Sequence, residues 1–228
     1  MPGSNILQSR PNANWQIHNV EHSASEMHAR DLPAERGIWN LKISRSALVL
    51  GSSQTEDVVN LEACAKANVD VVRRRSGGGA VYLAIGEHLW VDVVVPRGDP
   101  LWNDDVVASS QWIGDAWSRV LTTFGNSLVS VHRGRTEPST WSKLVCFAGL
   151  GPGEVLINGG KVVGLSQRRT NKAARFQCFG HRRWTPEIFL SLLAVPRPMI
   201  EDLGDLVTII DRDPSQLFAA FVDELNAL

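Results

Sequence analysis

Three short stretches of this 228-residue chain carry residue types suited to chemistry. In Arg73-Arg74-Arg75-Ser76-Gly77-Gly78-Gly79-Ala80-Val81-Tyr82, guanidinium groups and a hydroxyl precede three glycines, with apolar runs on either side. Glycines leave backbone N–H groups uncovered and let a ligand come close, and successive N–H groups beside arginine form an anion-binding concavity. A glycine-rich hairpin with a solvated basic edge remains the alternative. No Gly-Lys-Ser/Thr follows and the next segment reads as a strand, so this is neither a P-loop nor a dinucleotide fingerprint. In the second stretch, Asn158-Gly159-Gly160-Lys161-Val162-Val163-Gly164-Leu165-Ser166-Gln167-Arg168-Arg169, a tight hairpin fixes Lys161 at a strand start. Gly164 allows close approach there, and Ser166 and Gln167 offer hydrogen bonds to a phosphate that Lys161 would reach; an exposed hairpin lysine is the alternative. The third stretch, Ser52-Ser53-Gln54, is polar and sits at a strand end, where sites are often built.

The elements that must hold these stretches follow from periodicity. Alternating or wholly apolar runs predict strands over 38–43, 47–50, 69–72, 79–84, 88–95, 128–132, 144–148, 154–158, 161–168 and 174–179. Helices are expected over 23–31, capped by Ser23 or Ser25, over 56–67, and over 104–124 with Gly125 as its stop. Thr185-Pro186-Glu187 and Asp213-Pro214 each open a further helix, the last carrying Leu217, Phe218, Phe221 and Leu225 on one face. Strands dominate the middle without regular βαβ alternation. The expected fold is α+β, a largely antiparallel mixed sheet with flanking helices on one face. Residues 1–14 read as a flexible leader and 15–228 as one domain.

Composition narrows the partners. The net charge of −1 and the lack of an aromatic stacking motif argue against a nucleic-acid partner. Cys64, Cys146 and Cys178 are widely spaced and odd in number, which fits no disulfide framework and no zinc motif. With no signal peptide and no bilayer-length apolar stretch, the expectation is a cytoplasmic protein without a membrane partner. Cys64 and Cys178 read as small packing residues, and the eight tryptophans as core or groove walls.

Taken in order, the three stretches resemble the lipoate- and octanoate-attaching enzymes related to biotin–protein ligase, over about two thirds of the chain. Leu48-Val49-Leu50-Gly51-Ser52-Ser53-Gln54 is similar to the family's LGxxQ segment with one extra residue, residues 73–82 to its RRxSGGGAVY loop, and residues 158–167 to its NGKKxxGSAQ motif. The resemblance implies the biotin/lipoate-ligase catalytic fold and an enzyme that acylates a lysine of a lipoyl-domain protein. In the ligase route, ATP with Mg2+ and lipoate or octanoate give an acyl-adenylate, with Lys161 on the α-phosphate. Arg73, Arg74, Ser76, Gly77, Gly78, Gly79, Tyr82, Gly164, Ser166 and Gln167 would then bind adenylate and acyl chain. Val81 and Leu89 would line the acyl slot. Implied acceptors are subunits of 2-oxo acid dehydrogenases and the glycine cleavage carrier protein.

Cys146-Phe147-Ala148-Gly149, followed by Pro152 and Glu154, resembles the cysteine loop of the superfamily's octanoyltransferases, with the cysteine fifteen residues before Lys161 as in theirs. That implies an alternative route without ATP, in which Cys146 takes octanoate from acyl carrier protein as a thioester and Lys161 supplies nearby positive charge. A buried strand cysteine is the structural alternative. A further alternative is a non-catalytic homologue that binds an acyl ligand, supported by Leu83-Ala84 where family ligases commonly carry His-Asp.

Overall fold

Seventeen helices and strands lie within residues 15–228, which the computed structural model describes; the expected leader at 1–14 lies outside them. The first half runs β1 (Gln16–His22), α1 (Ala24–Ala29), β2 (Gly37–Ile43), β3 (Ala47–Leu50), α2 (Leu61–Lys66), β4 (Asp70–Arg73), β5 (Val81–Leu83) and β6 (His88–Pro96). The second half runs α3 (Val106–Ser109), α4 (Gln111–Thr123), β7 (Val129–Val131), β8 (Val155–Ile157), β9 (Gly160–Arg169), β10 (Ala173–His181), α5 (Pro186–Ser191), α6 (Ile200–Leu203) and α7 (Pro214–Asn226).

Two sheets result. The larger is ordered β1–β2–β6–β10–β9–β8–β7 and is antiparallel except for the β1–β2 pair; the smaller is β4–β3–β5. Strand β6 shows why both are needed, since side chains alternate across a strand and nearly every β6 residue is buried. Leu89, Val91, Val93 and Val95 point toward α4 and α7, where Trp117 stacks on Phe221 at 3.9 Å between ring centroids. Trp90 and Val94 point the other way, onto Val49, Val72 and Leu83 of the small sheet and Met27 of α1. The α+β sheet-and-helix architecture is as expected, but the helices are not confined to one face: α4 and α7 cover one side of the large sheet, and the three-stranded sheet covers the other together with α1.

Three local readings change. The helix expected over 56–67 begins only at Leu61, because Val59 bridges to Leu193 and the Asn60 side chain accepts from Ala63 N–H. The long helix expected over 104–124 is interrupted at Ser110, giving α3, which Asp105 caps, and α4. The strand expected over 144–148 is instead a 3-10 turn at Cys146–Ala148, held by one parallel bridge between Val145 and Ala80. Strand β1 has no alternating signal and is set by its pairing with β2. The hairpin at Asn158-Gly159 has positive φ at both residues, +52° and +87°, as a two-residue turn between twisted strands requires. No helix among the described residues is long and apolar enough to cross a membrane.

Candidate active site

The two sheets splay apart around a cleft of about 820 Å³. One wall is the glycine loop between β4 and β5; the floor is β9 and β10; the third side is the segment around Cys146. Strand β3 ends here in the polar Ser53 and Gln54. Gln54 is buried and acts as a brace: its Oε1 accepts from Gly51 N–H at 2.8 Å and its Nε2 donates to Lys143 O and Leu144 O. It ties the β3 end to the cysteine segment.

Lys161 is 2 % exposed, which removes the exposed-hairpin alternative. Its Nζ lies 2.7 Å from Glu154 Oε2, donates to Cys146 O at 3.1 Å and sits 5.1 Å from the centre of the Phe147 ring. Glu154 also accepts from Gly151 N–H at 2.7 Å and Leu165 N–H at 3.2 Å. A buried charge persists only when paired and hydrogen-bonded, and this cluster meets that condition without a ligand. Glu154, seven residues before Lys161 across a tight hairpin, is the main residue of the cleft that sequence reasoning left without a role. The antiparallel pairing implied by the Asn158-Gly159 turn was the available signal.

The three glycines differ. Gly78 has φ +101°, a left-handed conformation that other residues resist, and Gly79 lies against Val145, where an added Cβ would be 2.5 Å from its carbonyl carbon. A Cβ at Gly77 meets nothing within 4 Å. Arg74 is buried and organises the loop from behind, donating to Gly77 O and Gly79 O at 2.8 Å each. With these carbonyls turned to Arg74, the trans peptide plane directs Gly78 N–H away from it. The same Arg74 Nη2 lies 3.8 Å from Cys146 Sγ. Arg74 is therefore the cation at the thiol, whereas Lys161 meets the carbonyl of the same residue and carries its own carboxylate. The 3-10 turn leaves Cys146 half-buried at the cleft rather than sealed in a strand.

Ser76, Gly77, Gly78, Gly79, Gly164, Ser166 and Gln167 all line the cleft. Ser76 Oγ reaches Ser166 Oγ at 3.1 Å, joining the glycine loop to β9, and Gln167 pairs with Ser109. Arg73 and Tyr82 lie outside the lining. Arg73 is exposed at the end of β4; Tyr82 points to the face of the small sheet opposite Val81 and Leu83, which do line the cleft. Leu89 belongs to the helix-side core, against expectation, and Trp90, its neighbour on the opposite strand face, lines the cleft instead. Cys64 and Cys178 are buried in packing.

One part of the cleft is apolar, formed by Val49, Val81, Leu83, Trp90 and Phe179 with the imidazole of His28. His28 packs against Trp90 with ring centroids 4.7 Å apart and planes tilted by 31°, and burial together with Arg175 and Arg74 pushes its pKa down to about 3. It is therefore neutral at neutral pH, and this lining carries no charge from it. Among the described residues Glu154 is the only carboxylate in the cleft lining, and no group of three His, Cys, Asp or Glu side chains is placed to hold a metal ion.

Comparison with known proteins points to one family. The model of the lipoyl protein ligase A/B catalytic domain matches residues 18–188. The octanoyltransferase LipM of Clostridioides difficile (strain 630) is 28% identical over 114 residues, 50% of this chain and 41% of that protein. The matched regions span less than half the length of the curated relatives. Among solved structures, a lipoate-protein ligase A bound with ATP superposes with a TM-score of 0.69 at 15% identity, covering 93% of this chain and 84% of that one. A bi-partite lipoate protein ligase from Thermoplasma acidophilum, studied with its E2 lipoyl domain, gives 0.68 at 15% identity, with 93% and 82% covered. At such identities these two structures show a shared fold.

Proposed function

Because the chain belongs to the lipoyl protein ligase A/B catalytic-domain family, we propose that it transfers an octanoyl or lipoyl group to a lysine of a lipoyl-domain protein by way of a thioester on Cys146. The observation that carries this reading is the thiol itself, at the cleft with a permanently charged guanidinium 3.8 Å from Sγ. A cysteine transfers acyl groups through its thiolate, and the guanidinium lies beside the sulfur that does so. The Cys146 thiolate attacks the carbonyl carbon of an acyl thioester donor such as acyl-acyl carrier protein; the donor C–S bond breaks and the donor sulfur leaves, taking up a proton. The amine of the acceptor lysine then attacks the same carbon, the Cys146 C–S bond breaks, and the amine gives up a proton as the amide forms. Gly78 N–H, turned away from Arg74, is the donor that the glycine loop offers to an oxyanion in both steps, while Lys161, held by Glu154, fixes the Cys146 carbonyl. The apolar lining around Trp90 and Phe179 holds the acyl chain.

The adenylate route is the second reading, favoured by the glycine loop and by the fold shared with an ATP-bound ligase. The residues fit it less well. Lys161 is already neutralised by Glu154, so an α-phosphate would have to compete with a carboxylate at 2.7 Å. ATP would supply the activation of the acid there; Lys161 and the loop N–H groups would hold its phosphate.

Mass spectrometry of the intact protein with octanoyl-acyl carrier protein and no ATP tests the choice. One octanoyl adduct on the parent protein, none on Cys146→Ser, and onward transfer to a lipoyl domain are expected. Amide formation by Cys146→Ser from free acid and ATP would overturn the thioester route.

A further inference from the structure

A second cavity, of about 370 Å³, opens beside the cleft and the acyl transfer described above does not use it. Four cations line it, Arg30, Arg168, Lys172 and Arg175, against the single carboxylate of Asp31. Asp31 is already shared by Arg75 and Arg168, and Arg175 is committed to Asp92. Arg30 and Lys172 are both exposed and pair with no carboxylate among the described residues. The carbonyls at the end of α1, which would repel an anion, are occupied: Arg175 donates to Met27 O and Arg30 O, and Arg75 to Ala29 O. The cavity therefore offers positive charge with its nearest acceptors satisfied.

Its position follows from strand register. Across β6, β10 and β9, one row of the sheet face is Asp92, Gln177 and Ser166, and the next row on that face is Val94, Arg175 and Arg168. Gln177 and Ser166 line the cleft, while Val94, Arg175 and Arg168 line the cavity. Two residues along a strand span about 7 Å, so the cationic floor begins one row beyond the cleft floor. Between the two lie the Ser76–Ser166 contact and the Arg75–Asp31–Arg168 bridge.

From this juxtaposition we propose that the cavity is a phosphate subsite that anchors the phosphorylated arm of the acyl donor while its thioester lies at Cys146. The identity of the donor rests on the acyl-transfer reading; the anion site rests on the residues alone. Arg30, Lys172 and the free donors of Arg168 give charge-assisted hydrogen bonds to the phosphate oxygens, and a site with several cations gains more from a phosphate than from a neutral group of the same size. The same chemistry could be presented by the phosphates of ATP, so both sources enter the test.

Calorimetric titration of the full chain with 4′-phosphopantetheine, pantetheine and ATP requires no turnover, so it reports on the subsite even if no acyl adduct forms on Cys146. The expected result is at least ten-fold tighter binding of 4′-phosphopantetheine than of pantetheine, with the difference lost in Arg30→Ala/Lys172→Ala and ATP unaffected by that variant. Both substitutions are at exposed positions, and the single charge reversal Lys172→Glu provides a second readout with a loss at least as large. If ATP alone loses affinity in the variants, the phosphate bound is a nucleotide's and the donor-arm assignment is overturned. Equal binding of the two pantetheines, with ATP indifferent to the variants, overturns the subsite.

Discussion

Replacing Lys161 by methionine tests the central cluster most directly, because shape is nearly kept and only the charge is lost. Lys161 and Glu154 have side chains 2 % and 5 % exposed, so neither charge can turn to solvent. Breaking a buried pair from one side costs about 3–5 kcal/mol. The two sides differ here. In Lys161→Met the stranded Glu154 carboxylate keeps Gly151 N–H at 2.7 Å and Leu165 N–H at 3.2 Å, which places the loss near about 3 kcal/mol. In Glu154→Gln the stranded ammonium keeps only Cys146 O at 3.1 Å and the Phe147 ring, so about 4–5 kcal/mol is expected. The double variant removes both charges and should lose about 2–3 kcal/mol less than the sum of the singles. With a urea slope of about 3 kcal/mol per molar for a chain of this size, Lys161→Met moves the unfolding midpoint by about 1 M. Tryptophan fluorescence follows the transition, and acyl transfer to a lipoyl domain is measured on the same samples at 25 °C, where a domain of ordinary stability stays folded. Transfer is expected to vanish in Lys161→Met. Single variants each costing under about 1 kcal/mol, with the double variant additive, would refute the buried-pair argument.

Other consequences of the geometry can be checked separately. Gly79→Ala should destabilise by about 1–3 kcal/mol and displace the Cys146 turn, since its Cβ would meet Val145 backbone at 2.5 Å, whereas Gly77→Ala meets no neighbour and should keep both stability and acylation; equal effects would contradict the assigned packing. Acid should weaken the fold through its buried histidines. His181 lies among Phe147, Phe179 and Trp184, and burial, with His88 beside it, holds its pKa near 3 against an ordinary 6.5; His28 is held equally low. Below pH 6.5 the unfolded chain takes up protons that the folded chain refuses, so each histidine withdraws about 1.4 kcal/mol per pH unit until the folded pKa is reached, about 2 kcal/mol by pH 5. Urea midpoints at pH 7, 6 and 5 should fall accordingly, and His181→Phe should remove one histidine's share of the slope; an unchanged slope in the variant would exclude that share.

What could be read without coordinates was local or consecutive in the chain. The helix start at Ser23 or Ser25, which the structure resolves to Ser23, the Asn158-Gly159 hairpin, the Pro-initiated helices and the alternation in β6 depend on neighbours within a few residues, and periodicity records such neighbours directly. The same holds for the glycine run and for Lys161 at its strand start. Tertiary structure decided whatever depended on which face meets which. Residues 144–148 look like a strand by side-chain type, yet only one bridge to Ala80 forms there, and the turn that replaces the strand brings the Cys146 thiol to the cleft. The composition of residues 73–75 cannot say that Arg73 faces solvent, Arg74 turns inward to two loop carbonyls and the thiol, and Arg75 reaches Asp31, because that division follows from the twist of β4 and the packing of α1. Nor does the sequence show that Lys161 is already paired. That depends on a carboxylate seven residues away being buried beside it, where a low-polarity surrounding makes the pair obligatory.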